Sequence, residues 1–145
     1  MEKAAKARTT KFSQTLLYRL DRYVSKTVKA AESRLREVSG MSFSQFLVLM
    51  ALVERGDLQQ SSVADYVGVT PAVISKQVEL LAGQGLLQLR PAHNDRRSNL
   101  VRITPSGRQS AQQALATVQE AFAASSAFPD HYKSKLQHWL DAQNL

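Results

Sequence analysis

A chain of 145 residues, of which 43% are hydrophobic and 21% charged, is long enough for one domain with one main core. This composition excludes a disordered chain, and the absence of cysteine excludes disulfides, thiolate metal sites and a thiol redox switch. The net charge of +7 leaves two interpretations open, a polyanionic partner or a basic surface that serves solubility alone.

The basic residues are concentrated in two places. Residues 1–40 carry ten Lys and Arg against four Asp and Glu, and residues 86–103 have a net charge of +3. No apolar run reaches the roughly 18 residues that a membrane span needs. The charged N-terminus, residues 1–8, is not followed by an apolar signal core. We therefore expect a cytoplasmic protein without a membrane partner.

The first predicted element is a long amphipathic helix from about Thr10 to Val38, which follows a basic arm. Apolar residues recur in it at helical spacing, namely Phe12, Leu16, Leu20, Tyr23, Val28, Ala31, Leu35 and Val38. One apolar stripe of this length needs a partner surface. Gly40 is expected to end the helix.

A second helix is predicted from a capping box, the pattern in which Ser42 is the N-cap and Gln45 lies three residues later. The helix that follows is apolar on nearly every side, so we expect it at the centre of the core. Gly56 and Asp57 are expected to end it.

Two shorter helices are predicted on either side of Gly68. The first runs from about Gln60 to Val67. The second runs from Pro71 to about Gly83, with Thr70 as N-cap, because proline at the first helical position removes no needed N–H. Its apolar residues follow the i, i+4, i+7 spacing of one buried face: Ile74, Val78 and Leu81.

Alternating apolar residues predict two strands, at residues 86–90 and 99–103. The eight residues between them, 91–98, are too many for a tight turn, so we expect a projecting loop. Thr104 and Pro105 then predict the start of a further helix, which runs through Phe122. A break at residues 125–126 and a last helix from about Pro129 complete the chain.

Helix, turn, helix and hairpin, in this order, make a helix-turn-helix with a wing. The second helix of such a pair can lie in the DNA major groove, with its N-terminal residues at the base edges. A basic hairpin loop can reach the minor groove, whose electronegative floor attracts arginine. Arg96 and Arg97 lie on the predicted loop, and Asp95 beside them can pair with an arginine and fix its direction.

Three segments resemble the MarR (multiple antibiotic resistance regulator) family. Residues 95–107, DRRSNLVRITPSG, match its wing signature of Asp-x-Arg, alternating apolar residues and Thr-x-x-Gly. Residues 68–78, GVTPAVISKQV, resemble its turn and recognition helix, and residues 85–87, GLL, resemble its Gly-Leu-Val approach to the wing. The resemblance runs from about residue 43 to 107. It departs from the family at Gln59 and Gln60, where a Thr or Ser cap is usual, and at Leu89, where arginine is common.

The resemblance implies a mainly α fold with a small β-wing. Within a single domain 1–145, residues 42–104 would form a winged helix-turn-helix lobe, and residues 10–40 and 105–145 would supply dimerisation helices. Residues at the start of the recognition helix would face the major groove: Thr70, Pro71, Ala72, Ser75, Lys76 and Gln77. Arg97 would enter the minor groove with Asp95 bracing it, and phosphates would be contacted by Gln60, Arg90 and Arg96.

The function implied by the resemblance is sequence-specific DNA binding. A homodimer would bind a pseudo-palindromic operator in double-stranded DNA and repress transcription until a small aromatic or anionic effector binds. Arg19, Arg22 and Tyr23 are the expected effector residues, and no cofactor is expected. The alternative is a protein-interaction module that keeps the winged-helix shape without reading DNA.

Each predicted contact also has a simpler interpretation. Asp95 and Arg97 can form a loop salt bridge and no more, and Lys76, Arg90 and Arg96 can be solvated surface residues. His131 and His138 are seven residues apart, beyond the i, i+4 spacing of a two-histidine metal clamp, so no metal site is expected. The sequence contains no nucleophile elbow, glycine-rich phosphate loop or paired-carboxylate pattern, and an enzyme is not expected.

Overall fold

A computed structural model of the chain describes residues 11–92, 95–125 and 130–143. The elements follow in the order α1 (Leu16–Ser39), α2 (Phe43–Arg55), β1 (Leu58–Gln59), α3 (Gln60–Val67), α4 (Pro71–Gly83), β2 (Leu87–Ala92), β3 (Asp95–Ile103), α5 (Pro105–Ser125) and α6 (Asp130–Ala142). The fold is mainly α with one small antiparallel sheet, as predicted. No single described helix is long and apolar enough to cross a membrane; α1 and α2, which meet at 85°, would qualify only as a bent pair.

The first helix begins later than its apolar periodicity predicts. A short 3-10 turn, Phe12–Gln14, comes first, and α1 starts at Leu16 rather than near Thr10. Thr15 is the reason, because its Oγ1 accepts a hydrogen bond from the Tyr18 N–H at 3.3 Å and satisfies the first turn. Gly40 ends the helix in the left-handed conformation, as predicted.

The second helix is the centre of the core. The predicted capping box is present: Ser42 Oγ accepts from the Gln45 N–H at 3.1 Å, and Gln45 Oε1 accepts from the Ser42 N–H at 2.9 Å. The core is built from apolar side chains of α2 together with residues of α1, α3, α4, α5 and the sheet, including Leu35, Leu49, Leu52, Val63, Ile74, Leu81, Val101 and Ala111.

The two short helices have the predicted limits and meet at Gly68. The turn needs a residue with φ of +77°, which glycine adopts without steric cost, and the N–H groups of Gly68 and Val69 both donate to the Ala64 carbonyl. Thr70 is the N-cap of α4, but its side chain makes no capping hydrogen bond. Its carbonyl instead accepts from Val73 and Ile74, at 3.1 and 3.3 Å.

The hairpin differs from the prediction. Residues 91, 92 and 95–98 belong to strands, so the expected eight-residue loop is wrong. The reason is a ladder that continues outward, in which Pro91 pairs with Asn99 and Ala92 with Asp95. A third strand that the sequence did not predict, the two-residue β1, pairs with β3 on its other side.

The start of α5 is joined to the hairpin by Thr104 and Gly107. Thr104 Oγ1 accepts from the Gly107 N–H at 3.0 Å, which is the helix cap the sequence predicts, and lies 2.8 Å from the Gly85 carbonyl. The Thr104 N–H donates to the Leu86 carbonyl at 3.0 Å. Gly107 is buried so tightly that a Cβ atom there would lie 2.0 Å from that same carbonyl oxygen.

Replacing the two glycines that lie within helices should have opposite effects on stability. Gly107→Ala forces the backbone of residues 85–86 to move and should lower the free energy of unfolding by about 1–3 kcal/mol. Gly83→Ala is the matched control, since nothing lies within 4 Å of a Cβ there, and it should raise stability by about 0.5–1 kcal/mol. Urea unfolding of both variants measures these changes. Equal effects would contradict the close approach at Gly107.

Candidate nucleic-acid interface

The first turns of α4 present an exposed surface beside the turn at Gly68. Ile74, Val78 and Leu81 are fully buried, so the opposite side of the helix faces outward. Ala72 and Lys76, one turn apart, are exposed on that side. Pro71 and Thr70, which precede them, are also exposed. Four of the predicted major-groove residues are therefore accessible together.

The other two predicted residues of this helix are less accessible. Ser75 and Gln77 are half-buried. Gln77, with Lys76 and Leu80, borders an open groove of about 460 Å³ whose other wall is formed by the end of α1 and the start of α2. On that wall the Arg36 guanidinium is held by Glu32 at 2.8 Å. Gln77 therefore lies at the side of the exposed surface rather than at its centre.

Two valines extend this surface and were not among the predicted site residues. Val69, in the turn, and Val73, in the first turn of α4, have 38% and 43% of their surface exposed. Helical geometry is the signal that identifies Val73, since it is rotated by about 100° from the buried Ile74. The exposed start of α4 is thus more apolar than the predicted list of contacts implied.

The wing carries its basic residues on two paired strands, β2 and β3, whose register is irregular. Arg90 lies exposed on β2, opposite Leu100 of β3. The register shifts between Pro91 and Ala92, so residues 96–98 lie on β3 between the partners of these two residues. Such a bulge changes the direction of the strand. The structure describes the backbone of Asp95, Arg96 and Arg97 but not their side chains. His93 lies outside the described residues altogether.

An ion pair holds the wing to the helix-turn-helix. Nε of Arg102, on β3, donates to Asp57 Oδ2 at 2.7 Å, and its terminal nitrogen contacts the same oxygen. The Arg102 guanidinium holds the pKa of the Asp57 carboxyl below its ordinary value, chiefly through this hydrogen bond, and Arg90 adds to the effect. The predicted aspartate–arginine pair was Asp95 with Arg97 inside the wing, whereas the pair of Asp57 with Arg102, 45 positions apart, was not predicted.

The third helix is attached to α2 by a tyrosine. The Tyr66 hydroxyl donates to the Glu54 carboxylate, and the Arg55 guanidinium lies 5.6 Å from the centre of the Tyr66 ring. The hydrogen bond to Glu54 is the main cause of a raised Tyr66 pKa. Gln60, a predicted phosphate contact, is the half-buried first residue of α3, and the preceding Gln59 side chain makes no capping hydrogen bond.

A basic depression lies on α1. It has a volume of about 380 Å³ and is lined by Arg22, Tyr23, Ser25, Lys26 and Lys29. The structure thus brings together two of the three predicted effector residues, Arg22 and Tyr23. The third, Arg19, is exposed and does not line this depression.

Metal-ligating side chains do not come together where the chain is described. Within residues 11–92, 95–125 and 130–143, no group of three His, Asp or Glu residues is arranged to hold a metal ion. Asp57 has a lowered pKa and is hydrogen-bonded to Arg102 of β3. Glu54 accepts a hydrogen bond from Tyr66 of α3, whose pKa is raised.

Part of the chain matches a known protein family. Residues 39–98, which include α2, α3, α4, β2 and the first residues of β3, match the model of the MarR family. Over this segment the chain is similar to the MarR family. The match ends inside the wing, and the matched residues include Asp95, Arg96 and Arg97. No curated protein matches the chain.

Solved structures extend the likeness over nearly the whole chain. A MarR-family regulator from Rhodococcus sp. RHA1 is 24% identical, with a TM-score of 0.81 over 90% of this chain and 93% of that one. Sco3205 from Streptomyces coelicolor, solved in complex with DNA, is 16% identical, with a TM-score of 0.79 over 97% and 91%. BpsR from Bordetella bronchiseptica, whose DNA binding is regulated by 6-hydroxynicotinic acid, is 20% identical, with a TM-score of 0.77 over 93% and 97%. At these identities the likeness is one of fold.

Neutralising Asp57 should weaken the attachment of the wing in a pH-dependent way. The folded pKa of Asp57 lies below the value of about 3.9 in an unfolded chain, so the pair stabilises the fold above that pH and loses its effect as pH falls through the folded pKa. Asp57→Asn should therefore lower the free energy of unfolding slightly at pH 7, with the difference vanishing in acid. Both groups are partly exposed, so high salt should also reduce it.

Urea titrations at neutral and acidic pH measure this difference. Asp65→Asn, which neutralises an exposed acid on α3, is the matched control and should show a smaller change at pH 7. An Asp57→Asn effect that persisted unchanged in acid would mean that the carboxylate charge is not what matters.

Proposed function

We propose that the chain is a sequence-specific DNA-binding regulator that acts as a dimer and represses transcription by covering a promoter. The observation that supports this most is the exposed face of α4, which follows the Gly68 turn and carries Lys76 in its second turn, together with a wing whose bulge contains Arg96 and Arg97. Its action is binding rather than catalysis, and its place is the cytoplasm, where it meets chromosomal DNA. Major-groove contacts by α4 and minor-groove contacts by Arg97 would select the operator.

An exposed apolar surface supports a homodimer. Large apolar residues near the start of α1 are more than half exposed: Phe12, Leu16, Leu17, Leu20 and Val24. Phe122 on α5 and Trp139 on α6 are also exposed. Apolar surface of this extent marks an interaction site, and a second copy of the chain is the occupant we propose. A two-fold dimer would bind two half-sites about 10 base pairs apart.

The function is tested by DNA binding across a salt series, with duplex from upstream of the chain's own gene and a scrambled duplex of equal composition. Two copies of the wild-type chain should bind each specific duplex, with an affinity that falls steeply as salt rises. Arg97→Ala should weaken specific binding by about ten-fold or more, the loss of one charged minor-groove contact. Lys135→Ala, on exposed α6, is the matched control and should change little.

Equal and weak binding to both duplexes would refute sequence-specific binding and favour the interaction module instead. An Arg97→Ala variant that binds like the wild type would remove the wing from the interface. Lys76→Ala completes the series: altered sequence preference indicates base contact, and a uniform loss indicates phosphate contact.

We also propose that a small aromatic anion relieves repression. The depression on α1 supports this, since it combines one aromatic ring with three cationic side chains, those of Arg22, Lys26 and Lys29. An anion bound there would stabilise the dimer spacing that fits DNA less well, and its affinity would fall in the DNA complex by the same factor.

Benzoate and 4-hydroxybenzoate serve as probes of this site. Each should lower the affinity for specific DNA, and Arg22→Gln should raise the concentration needed by about ten-fold. Arg19→Gln removes a neighbouring charge that does not line the depression, and should leave the concentration nearly unchanged. If the two variants respond alike, the effector does not bind at this depression.

A further inference from the structure

Exposed apolar side chains surround the start of α4. Val69 and Val73, at 38% and 43% exposure, flank Thr70, Pro71 and Ala72, which are exposed too, and of these five side chains only that of Thr70 is polar. Within the first turn of α4 no side chain is charged. The first polar side chain that is fully accessible in this helix is that of Lys76, in its second turn. A helix that enters a groove by its N-terminus would therefore bring apolar groups to the bases first.

The major groove offers one apolar group to such a surface. Base edges there present hydrogen-bond donors and acceptors, apart from the C5-methyl group of thymine. A valine placed against the polar edge of a G·C pair displaces the water bound to that edge. The base atoms then lose the hydrogen bonds that water made, which is unfavourable. The same valine against a thymine methyl group buries apolar surface on both sides. The apolar start of α4 therefore discriminates between bases without any hydrogen bond.

The position of Lys76 orients this contact. It lies three residues after Val73 and four after Ala72, so the three side chains are neighbours on one face of the helix. The rise from Val73 to Lys76 is about 4.5 Å, close to one base step of about 3.4 Å. The lysine can thus reach an acceptor next to the base that the valine covers. The net charge of +7 supports a nucleic acid as the occupant of this face.

We propose that Val73, together with Ala72, is a specificity-determining residue that reads thymine C5-methyl groups in each operator half-site. The inference rests on the proposed function, because it requires that α4 lie in the major groove. It adds a base preference to that function: thymine at the position under Val73.

The test begins with a duplex selected by the full-length chain from a pool of random 30-base-pair duplexes. Each thymine of the selected sequence is then replaced singly by uracil, which keeps the base pairing and removes only the methyl group. At the contacted thymine, affinity should fall about four-fold, the value of one apolar group withdrawn from the contact. Thymines outside the contact should tolerate the change.

Val73→Ala identifies the side chain responsible. The variant should bind the thymine and uracil duplexes with nearly equal affinity, since the valine methyl groups that made the difference are gone. Leu80→Ala is the matched control. This residue is also apolar and exposed, but it lies two turns further along α4, and its variant should keep the four-fold preference. Thermal unfolding of both variants confirms that they fold.

The outcomes separate this inference from the function beneath it. If the chain selects no sequence, the proposed function fails and the inference fails with it. If it selects a sequence, but uracil has no effect at any thymine, or an effect that Val73→Ala leaves unchanged, then α4 reads bases by other means. The inference is then wrong while the proposed function stands.

Discussion

The close approach of Gly107 to the Leu86 carbonyl fixes how the parts of this fold are joined. Three segments meet at that point: the residues leading into β2, the end of β3 and the start of α5. The Thr104 hydroxyl bonds to two of them, because it caps α5 and donates to the Gly85 carbonyl, and Thr104 itself directly follows β3. No flexible connection separates the wing from the long helix α5. A shift of α5 therefore moves the base of the wing directly, which is the coupling that an effector bound beside the helices would need.

The ion pair of Asp57 and Arg102 is a second attachment of the hairpin, in addition to the one at Thr104. Thr104 attaches the wing to α5, and Asp57, between α2 and β1, attaches it to the helix-turn-helix. The two-residue strand β1 adds a backbone ladder at the same place. The wing therefore has a fixed base although its outer part continues well beyond the core. Arg90 shares the electrostatic environment of Asp57, so part of the basic charge of the wing is balanced at its base.

The features that the sequence predicted well depend on neighbouring residues. The capping box at Ser42, the glycine turn at Gly68 and the cap at Thr104 each involve residues within four positions of one another, and all three are present. The apolar periodicity likewise identified the buried face of α4. The resemblance carried by the turn, α4 and the wing agrees with the match of residues 39–98 to the MarR model.

The features that were missed depend on distant residues or on competition between neighbours. The polar residues after Pro91 predict a loop, and only the pairing of Ala92 with Asp95 across the hairpin continues the ladder beyond Pro91. Asp57 and Arg102 meet through the sheet, which no local pattern shows. At the start of α1 the apolar stripe continued through residue 12, but the cap at Thr15 determined where the helix begins.

The edges of the small sheet have a consequence for the behaviour of the chain at high concentration. An open strand edge is a template on which another molecule can add a strand, and repeated addition leads to aggregation. Here one edge is formed by the two-residue strand β1 and, beyond it, by the outer part of β3, whose regular ladder is interrupted by the bulge at residues 96–98. The other edge, β2, contains Pro91, which has no N–H to donate, next to a shift in register. A hairpin built in this way can project from the core and still resist growth into an intermolecular sheet.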